Sequence, residues 1–157
     1  MRNFWDLTKR GFDLMEIKLK QLDKDLPIPR YAHDGDAGCD LYSRIDITLE
    51  PGERALIPTG IALSIPPGYA GFIQPRSGLA LKHGISILNT PGLIDSHYRG
   101  EICVILINQD VQKSFEIKRG DKIAQLIIQR VENITFRVVG ELDATGRGSG
   151  GFGSSGI

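Results

Sequence analysis

The amino-acid sequence predicts an all-β protein, a jelly-roll-like β-barrel subunit with one short helix. Short runs rich in Ile, Val and Leu recur along the chain, and turn sequences containing Gly or Pro separate them, such as EPGER (50–54), PPGY (66–69) and KRGD (118–121). Short strands punctuated at regular intervals are typical of sandwiches, jelly rolls and barrels. A chain of 157 residues is long enough to build one such domain around a single core.

The predicted strands are runs of alternating or continuous apolar residues bounded by turns. In chain order they are MEIKLK (15–20), IDITLE (45–50), GIALSI (60–65), YAGFIQ (69–74), GISIL (84–88), EICVILIN (101–108), KIAQLIIQ (122–129) and ITFRVV (134–139). One helix, SGLALKHG (77–84), interrupts them. Ser77 suits its N-cap, and Gly84 suits the left-handed residue that ends a helix.

The start of this helix is a candidate anion site. Arg76 precedes the helix, so a guanidinium, the Ser77 hydroxyl and free backbone N–H groups converge at one point. The alternative is an ordinary capped helix beside a solvated arginine.

Composition excludes several classes of protein. Lys plus Arg and Asp plus Glu both number 19, so no excess positive charge is present to coat a nucleic acid. The sequence has neither a membrane-spanning apolar stretch nor a secretory apolar core at its N-terminus. Cys39 and Cys103 are too far apart for a CxxC motif, and Cys103 lies in a run expected to be buried. A cytoplasmic protein without a nucleic-acid or membrane partner is expected.

Three segments are expected along the chain. Residues 1–14 form a leader that we expect to be poorly ordered, and Met15 is a possible second start. Residues 15–140 form the all-β core, and residues 141–157 form a Gly/Ser-rich arm. Nine of the eleven residues in GRGSGGFGSSG (146–156) are Gly or Ser. Such a composition is typical of a mobile tail, but an idle linker has no need of Arg147 and Phe152, which can pair with phosphate and stack on a base.

Asp95 is a candidate catalytic carboxylate. It follows Leu93 and Ile94 and the turn sequence NTPG, which predicts a carboxylate at the mouth of a hairpin. The alternative is an aspartate that only forms the turn.

Five segments together resemble the motifs of the trimeric all-β deoxyuridine triphosphate nucleotidohydrolases, the dUTPases. They occur in the family's order and spacing, and they are DAGCDL (36–41), PRSGLA (75–80), GLIDSHYRGEI (92–102), RGDKIAQLI (119–127) and the arm. The resemblance implies a homotrimer of jelly-roll subunits with three active sites at the subunit interfaces, closed by flexible C-terminal arms. It also implies Mg²⁺-assisted hydrolysis of dUTP to dUMP and pyrophosphate, which keeps uracil out of DNA and supplies dUMP for thymidylate synthesis.

The same resemblance assigns the catalytic and phosphate-binding residues. Asp95 corresponds to the carboxylate that activates the attacking water, and Asn89 and Gln125 to residues that hold this water and an α-phosphate oxygen. Phosphate binding falls to three consecutive residues, Arg76, Ser77 and Gly78.

Asp40 corresponds to the family's acidic residue that contacts Mg²⁺ through the ion's water shell. The alternative is that Asp40 only stabilises the start of a strand. Lys122 occupies a position where many relatives have Arg. An ammonium group cannot make the paired hydrogen bonds of a planar guanidinium, so we expect a modest effect on any contact made at this position.

The uracil and sugar contacts also follow from the resemblance. The hairpin around Gly92 and Ile94 would present backbone groups to the uracil edge, and Tyr98 would stack on the sugar and leave no room for a 2′-hydroxyl. In the arm, Arg147 would grip the terminal phosphates and Phe152 would stack on uracil. Gly153 and Ser154 would let the backbone wrap over the triphosphate.

Two other functions remain possible at this stage. A dCTP deaminase shares the fold, but it would need an acid that reaches the cytosine amine, and this class usually lacks such an arm. A trimer that binds dUTP without cleaving it is the second possibility.

Overall fold

The computed structural model describes residues 15–151, and within this range the chain forms eleven strands and one helix. The elements in chain order are β1 (Lys18–Gln21), β2 (Cys39–Tyr42), β3 (Ile47–Leu49), β4 (Arg54–Pro58), β5 (Ile61–Ser64), β6 (Tyr69–Gln74), α1 (Ser77–His83), β7 (Ile85–Ile87), β8 (Gly92–Ile94), β9 (Cys103–Asn108), β10 (Phe115–Ile117) and β11 (Lys122–Arg130). The predominance of strands confirms the predicted all-β class.

All strand pairs are antiparallel, and they form four small sheets. The largest sheet has the order β2-β11-β6-β8, a second has the order β4-β9-β7, and the remaining pairs are β1-β5 and β3-β10. Neighbours in the largest sheet are distant in sequence. The sheet therefore brings together segments that the sequence keeps apart.

The core lies between the sheets and consists of aliphatic side chains. Strand β9 shows the expected period of two, since Val104, Leu106 and Asn108 are buried while the residues between them are half-buried. Leu41 and Ile117 are likewise fully buried. At about 1.5 to 3 kcal/mol for each fully buried aliphatic side chain, this core holds the strand ends in fixed positions.

One predicted strand is wrong. Residues 134–139 alternate as a strand should, but they pair with no other strand and have no regular secondary structure, and Phe136 and Val138 are almost fully exposed. A strand needs a neighbour for its backbone N–H and C=O groups, and residues 15–151 of this chain offer none to this segment.

The predicted cap at the start of α1 is also wrong. Arg76, with φ −87° and ψ 123°, occupies the N-cap, and its side chain does not cap the helix. Ser77 is the first helical residue. Gly84 ends the helix as predicted, with φ +66° in the left-handed region. This helix is too short to cross a membrane, and it is the only one in the described part of the chain.

Candidate active site

The first cluster of site residues lies around Asp40 on β2. Its carboxylate is buried, at 5% exposure, and faces two cations. Lys122 Nζ lies 2.8 Å from Oδ2, and Arg76 Nε lies 3.3 Å from Oδ1. Arg76 also donates from Nη1 to the Lys122 carbonyl at 3.1 Å. The Asp40 carboxylate therefore orients the guanidinium at the start of α1.

A cavity of about 420 Å³ opens beside this cluster. Arg76 and Lys122 form its cationic wall, Leu79, Phe115 and Ile117 form its apolar wall, and Asp121 adds one carboxylate to the lining. A cavity with two cations at one side is suited to a small anion.

The first turn of α1 adds polar groups next to Arg76. Ser77 and Gly78 are exposed, and a Cβ built at Gly78 would meet no atom within 4 Å. The backbone at this turn is therefore open to a ligand.

Gln125 lies next to Asp40 in the largest sheet. Its register partners are Asp40 on β2 and Gln74 on β6, so three polar residues lie in one row across three strands. The Gln74 Oε1 accepts a hydrogen bond from the Thr90 hydroxyl at 3.4 Å. A Cβ at Gly38 would lie 3.3 Å from Gln125 Cβ, so the glycine leaves room for that side chain.

The second group of site residues lines a separate cavity of about 300 Å³. All five uracil-side and catalytic candidates of this region line it: Asn89, Gly92, Ile94, Asp95 and Tyr98. A Cβ at Gly92 would lie 3.5 Å from Asn89 Nδ2, an ordinary contact distance that places the glycine beside the amide.

Asp95 begins the loop that follows β8. The Tyr98 backbone N–H donates to the Asp95 carbonyl at 3.0 Å, which closes a turn with Asp95 and Tyr98 at its ends. Arg99 Nη1 donates to the Ser96 and Tyr98 carbonyls at 2.6 and 2.8 Å and ties this turn together. The Asp95 side chain is exposed toward the cavity mouth.

The predicted hairpin from Gly92 to Arg99 is not formed. Strand β8 pairs with β6, and the loop then crosses to β9 in another sheet. The prediction rested on the turn sequence NTPG. A turn does form there, since the Thr90 N–H donates to the Ile87 carbonyl, but a turn does not determine which strands pair.

The described part of the arm, residues 141–151, lines neither cavity. Arg147 Nε donates to the Gly150 carbonyl at 2.8 Å, and Gly148 N–H donates to the Thr145 carbonyl at 3.0 Å. Arg147 lines neither cavity. The predicted positions Phe152, Gly153 and Ser154 lie outside the described residues.

Neither cysteine is suited to nucleophilic chemistry. Burial raises the pKa of the Cys39 thiol, which also lies near the Tyr31 hydroxyl, and burial raises the pKa of the Cys103 thiol. Since the thiolate is the reactive form, both remain poor nucleophiles at neutral pH.

The described residues offer no cluster of three His, Cys, Asp or Glu side chains that could hold a metal ion. Asp40 Oδ1 is buried and has no hydrogen-bond partner among the described residues, but both carboxylate oxygens face cations. Direct coordination by Asp40 would displace those cations. The donor set fits an ion brought by a ligand's phosphates, with Asp40 behind the ion's water shell, and does not fit an ion caged by the protein.

The structure thus divides the candidates into two groups in one chain, and it adds residues that sequence reasoning missed. Gln74 belongs to the polar row and accepts a hydrogen bond from Thr90, and Lys122, identified from sequence only as a replacement for Arg, pairs with Asp40. Gln74 immediately precedes the PRSGLA segment, a signal that could have identified it. An all-β domain with one cationic cavity and one carboxylate-bearing cavity defines a protein that binds a small organic anion.

Comparison with known proteins identifies the family. The chain matches the dUTPase family model over residues 24–156. It is 57% identical over 144 residues to a deoxyuridine 5′-triphosphate nucleotidohydrolase of Rhodococcus erythropolis, over 92% of this chain and 88% of that protein. The dUTPase of Staphylococcus bacteriophage 80alpha with dUPNHPP superposes with a TM-score of 0.83 at 33% identity, over 90% of this chain and 99% of that one.

A dUTPase mutant from phage phi11 of S. aureus superposes with a TM-score of 0.76 at 29% identity, over 83% of this chain and 100% of that one. That structure describes the coordination of a structural Mg(II) ion. The present chain belongs to the dUTPase family, which confirms the resemblance of the five segments and the jelly-roll fold class. It is a dUTP diphosphatase, and it hydrolyses dUTP to dUMP.

Proposed function

We propose that this enzyme cleaves dUTP by attack of an Asp95-activated water on the α-phosphate, releasing pyrophosphate. The observation that carries the proposal is the position of Asp95, exposed at the end of β8 in the same cavity as Asn89. An aspartate is a weak base, so its contribution depends on holding the water in line with the phosphorus. Asn89 and Gln125 hold this water and an α-phosphate oxygen.

Arg76, Ser77 and Gly78 bind the phosphates. The cationic wall of the 420 Å³ cavity and the open backbone at the first turn of α1 support this role. Asp40 pairs with both Lys122 and Arg76, so its single negative charge offsets only part of the positive charge offered to an incoming phosphate.

The second cavity binds the nucleoside. The backbone at Gly92 and Ile94 pairs with the uracil edge, and a cytosine would leave buried donors and acceptors unpaired, which is costly. Tyr98 lies against the deoxyribose and excludes a ribose hydroxyl.

Mg²⁺ is carried by the triphosphate, where it would neutralise phosphate charge, and Asp40 contacts it through water. The phage phi11 relative, whose structure describes a structural Mg(II) ion, supports magnesium as the metal.

The enzyme acts as a homotrimer with active sites between subunits. Two observations support this part. Arg76, a phosphate-side candidate, lines the first cavity, whereas the nucleoside-side candidates line the second cavity of the same chain. In addition, Leu56 and Leu93 are 62% and 56% exposed beside the second cavity, next to Ile105, which is the pairing partner of Leu56. Such a patch is suited to burial by a second copy of the chain.

Residues 141–157 act as a lid on the neighbouring site. In this lid Arg147 contacts the terminal phosphates and Phe152 stacks on uracil. The backbone at Gly153 and Ser154 wraps over the triphosphate. The arm's Gly and Ser content supports this role, since ordering it costs about 1 to 2 kcal/mol per residue and should occur only when nucleotide contacts compensate. Residues 1–14 are a leader outside the core of residues 15–140. The enzyme works in the cytoplasm, where it limits uracil in DNA and supplies dUMP.

The test measures pyrophosphate release from dUTP with Mg²⁺, beside dCTP, dTTP and UTP. We expect release from dUTP alone and a loss of at least about 100-fold in Asp95→Asn, since removing a general base costs on that order. Asp34→Asn, the same substitution at an exposed aspartate outside both cavities, is the matched control. Pyrophosphate release by Asp95→Asn at the wild-type rate would refute the assignment of the base, and ammonia release from dCTP would point to the deaminase instead.

A further inference from the structure

We propose that Gly100 and Glu101 are positioning residues that fix the Tyr98 ring and thereby set the enzyme's discrimination against ribonucleotides. This inference rests on the proposed function, specifically on the placement of Tyr98 against the sugar. It assigns a role to two residues that line or flank the second cavity without forming part of the assigned nucleotide contacts.

Tyr98 is held by its hydroxyl rather than by packing. Its side chain is 45% exposed, so the protein covers only part of the ring. The hydroxyl donates a hydrogen bond to the Glu101 carbonyl at 3.0 Å. The ring thus folds back over its own loop and is anchored at both ends, by the closed turn at its backbone and by this bond at its tip.

Gly100 is what permits this conformation. A Cβ built at Gly100 would lie 2.6 Å from Tyr98 Cζ and 3.0 Å from Cε2, and closer still to the hydroxyl oxygen. Contacts below 3 Å to a ring cannot be relieved by moving one flexible atom, because the ring moves as a unit. Any side chain at position 100 therefore displaces the Tyr98 ring.

Glu101 fixes the carbonyl that anchors the ring. Its side chain accepts a hydrogen bond from the Gly60 N–H at 2.8 Å through Oε1, and its Oε2 pairs with Arg44 Nη1 at 3.2 Å. The next residue is also tied to the β4–β5 turn, since the Ile102 carbonyl accepts the Thr59 hydroxyl at 2.6 Å. The Glu101 side chain and the residue that follows it are thus both bound to the β4–β5 turn.

Further ion pairs orient Arg44. Its Nε lies 3.5 Å from Asp23 Oδ2, and Asp23 Oδ1 accepts a hydrogen bond from Arg119 Nη2 at 2.7 Å. An Arg44 held from both sides restricts Glu101, and Glu101 restricts the position of the Tyr98 hydroxyl.

This arrangement matters because the sugar is selected by shape. A pocket that rejects an added hydroxyl through shape alone discriminates between the two substrates by about 100-fold at most, and this discrimination is lost when the pocket wall can move. A Tyr98 ring that is free to rotate would open space for a 2′-hydroxyl, while the phosphate contacts and the catalytic carboxylate would stay in place.

The experiment compares kcat/KM for dUTP and UTP in Gly100→Ala, Tyr98→Phe, Tyr98→Ala and Glu101→Gln. We expect the dUTP/UTP ratio to fall about tenfold in Gly100→Ala and Tyr98→Phe, mainly through UTP, because both release the ring but leave the phosphate contacts intact. Glu101→Gln keeps an oxygen that accepts from the Gly60 N–H but loses the negative charge that pairs with Arg44, so we expect a smaller fall in the dUTP/UTP ratio. Gly140→Ala is the matched control, since a Cβ there would meet no atom within 4 Å.

The outcomes separate this inference from the proposed function. An unchanged ratio in Tyr98→Ala would show that Tyr98 does not select the sugar, which would overturn that part of the proposed function. A lowered ratio in Tyr98→Ala with unchanged ratios in Gly100→Ala and Tyr98→Phe would overturn the positioning roles alone. If Gly100→Ala fails to fold, Tyr98→Phe decides the question by itself, because it removes only the hydrogen bond to Glu101.

Discussion

Replacing Asp40 by Asn removes the charge that the structure places between two cations. The carboxylate is buried, its Oδ2 lies 2.8 Å from Lys122 Nζ, and its Oδ1 lies 3.3 Å from Arg76 Nε. Asn has nearly the same shape, so the substitution changes charge without creating a cavity. We expect this variant to be less stable and to bind the triphosphate more weakly.

The magnitude follows from the two contacts. The 2.8 Å Lys122 pair joins a buried carboxylate to a partly exposed ammonium and contributes about 1 to 3 kcal/mol, and the longer, partly exposed Arg76 pair adds about 0.5 to 1 kcal/mol. Burying a carboxylate costs part of that gain, and Asn avoids the cost. Because Lys122 and Arg76 remain partly exposed and can rehydrate, a net loss of about 1 to 3 kcal/mol in the free energy of unfolding is expected.

The assay is urea denaturation at a fixed protomer concentration without nucleotide, since oligomerisation and ligand both shift apparent stability. Asp40→Asn, Lys122→Met and the double variant form a cycle, with an expected coupling energy of about 1 kcal/mol or more. Asp34→Asn reports the effect of the same substitution outside the cluster. An Asp40→Asn variant as stable as wild type would show that the cost of burying the carboxylate cancels both ion pairs.

Two further predictions concern the surface. Leu56→Lys places a charge in the exposed patch with Leu93, so sedimentation or light scattering should show dissociation toward monomers while the circular dichroism spectrum persists; a trimer of unchanged stability would contradict the proposed interface. The hydrogen bond from Arg119 lowers the pKa of Asp23 below its ordinary value of 3.8, so its stabilising effect is present above about pH 4 and disappears as the pH falls through the lowered value. The difference in Tm between wild type and Asp23→Asn should therefore be constant near neutral pH and narrow only in the acid range, and a difference that grew on acidification would refute this sign.

The sequence was informative wherever local physics decides the structure. Alternation located most strands, and the Gly84 left-handed position ended the helix as predicted. The run at residues 134–139 failed because pairing is a tertiary property. Alternation shows that a segment can be a strand, and only a neighbour makes it one.

The contacts within the site were harder to predict because they depend on register. Nothing near Asp40 in sequence indicates that Lys122 neutralises it, and the row Asp40, Gln125 and Gln74 exists only because β11 pairs with both β2 and β6. The role of Gly100 was hidden for a related reason. A glycine after Arg99 is an ordinary loop residue until the Tyr98 ring is found to lie across it.

The division of the candidates between two cavities leads to a last prediction, subunit complementation. If each active site combines Arg76 of one subunit with Asp95 of another, a chain with Asp95→Asn and a chain with Arg76→Ala are each inactive alone, but each retains one intact half. After equal mixing under conditions that exchange subunits, random assembly pairs an intact phosphate side with an intact nucleoside side at about one quarter of the junctions. Pyrophosphate release should recover to about that fraction of wild type. Mass spectrometry of the intact trimers must first show that trimers containing both variants have formed. If such mixed trimers form and activity does not recover, both halves of the site belong to one chain.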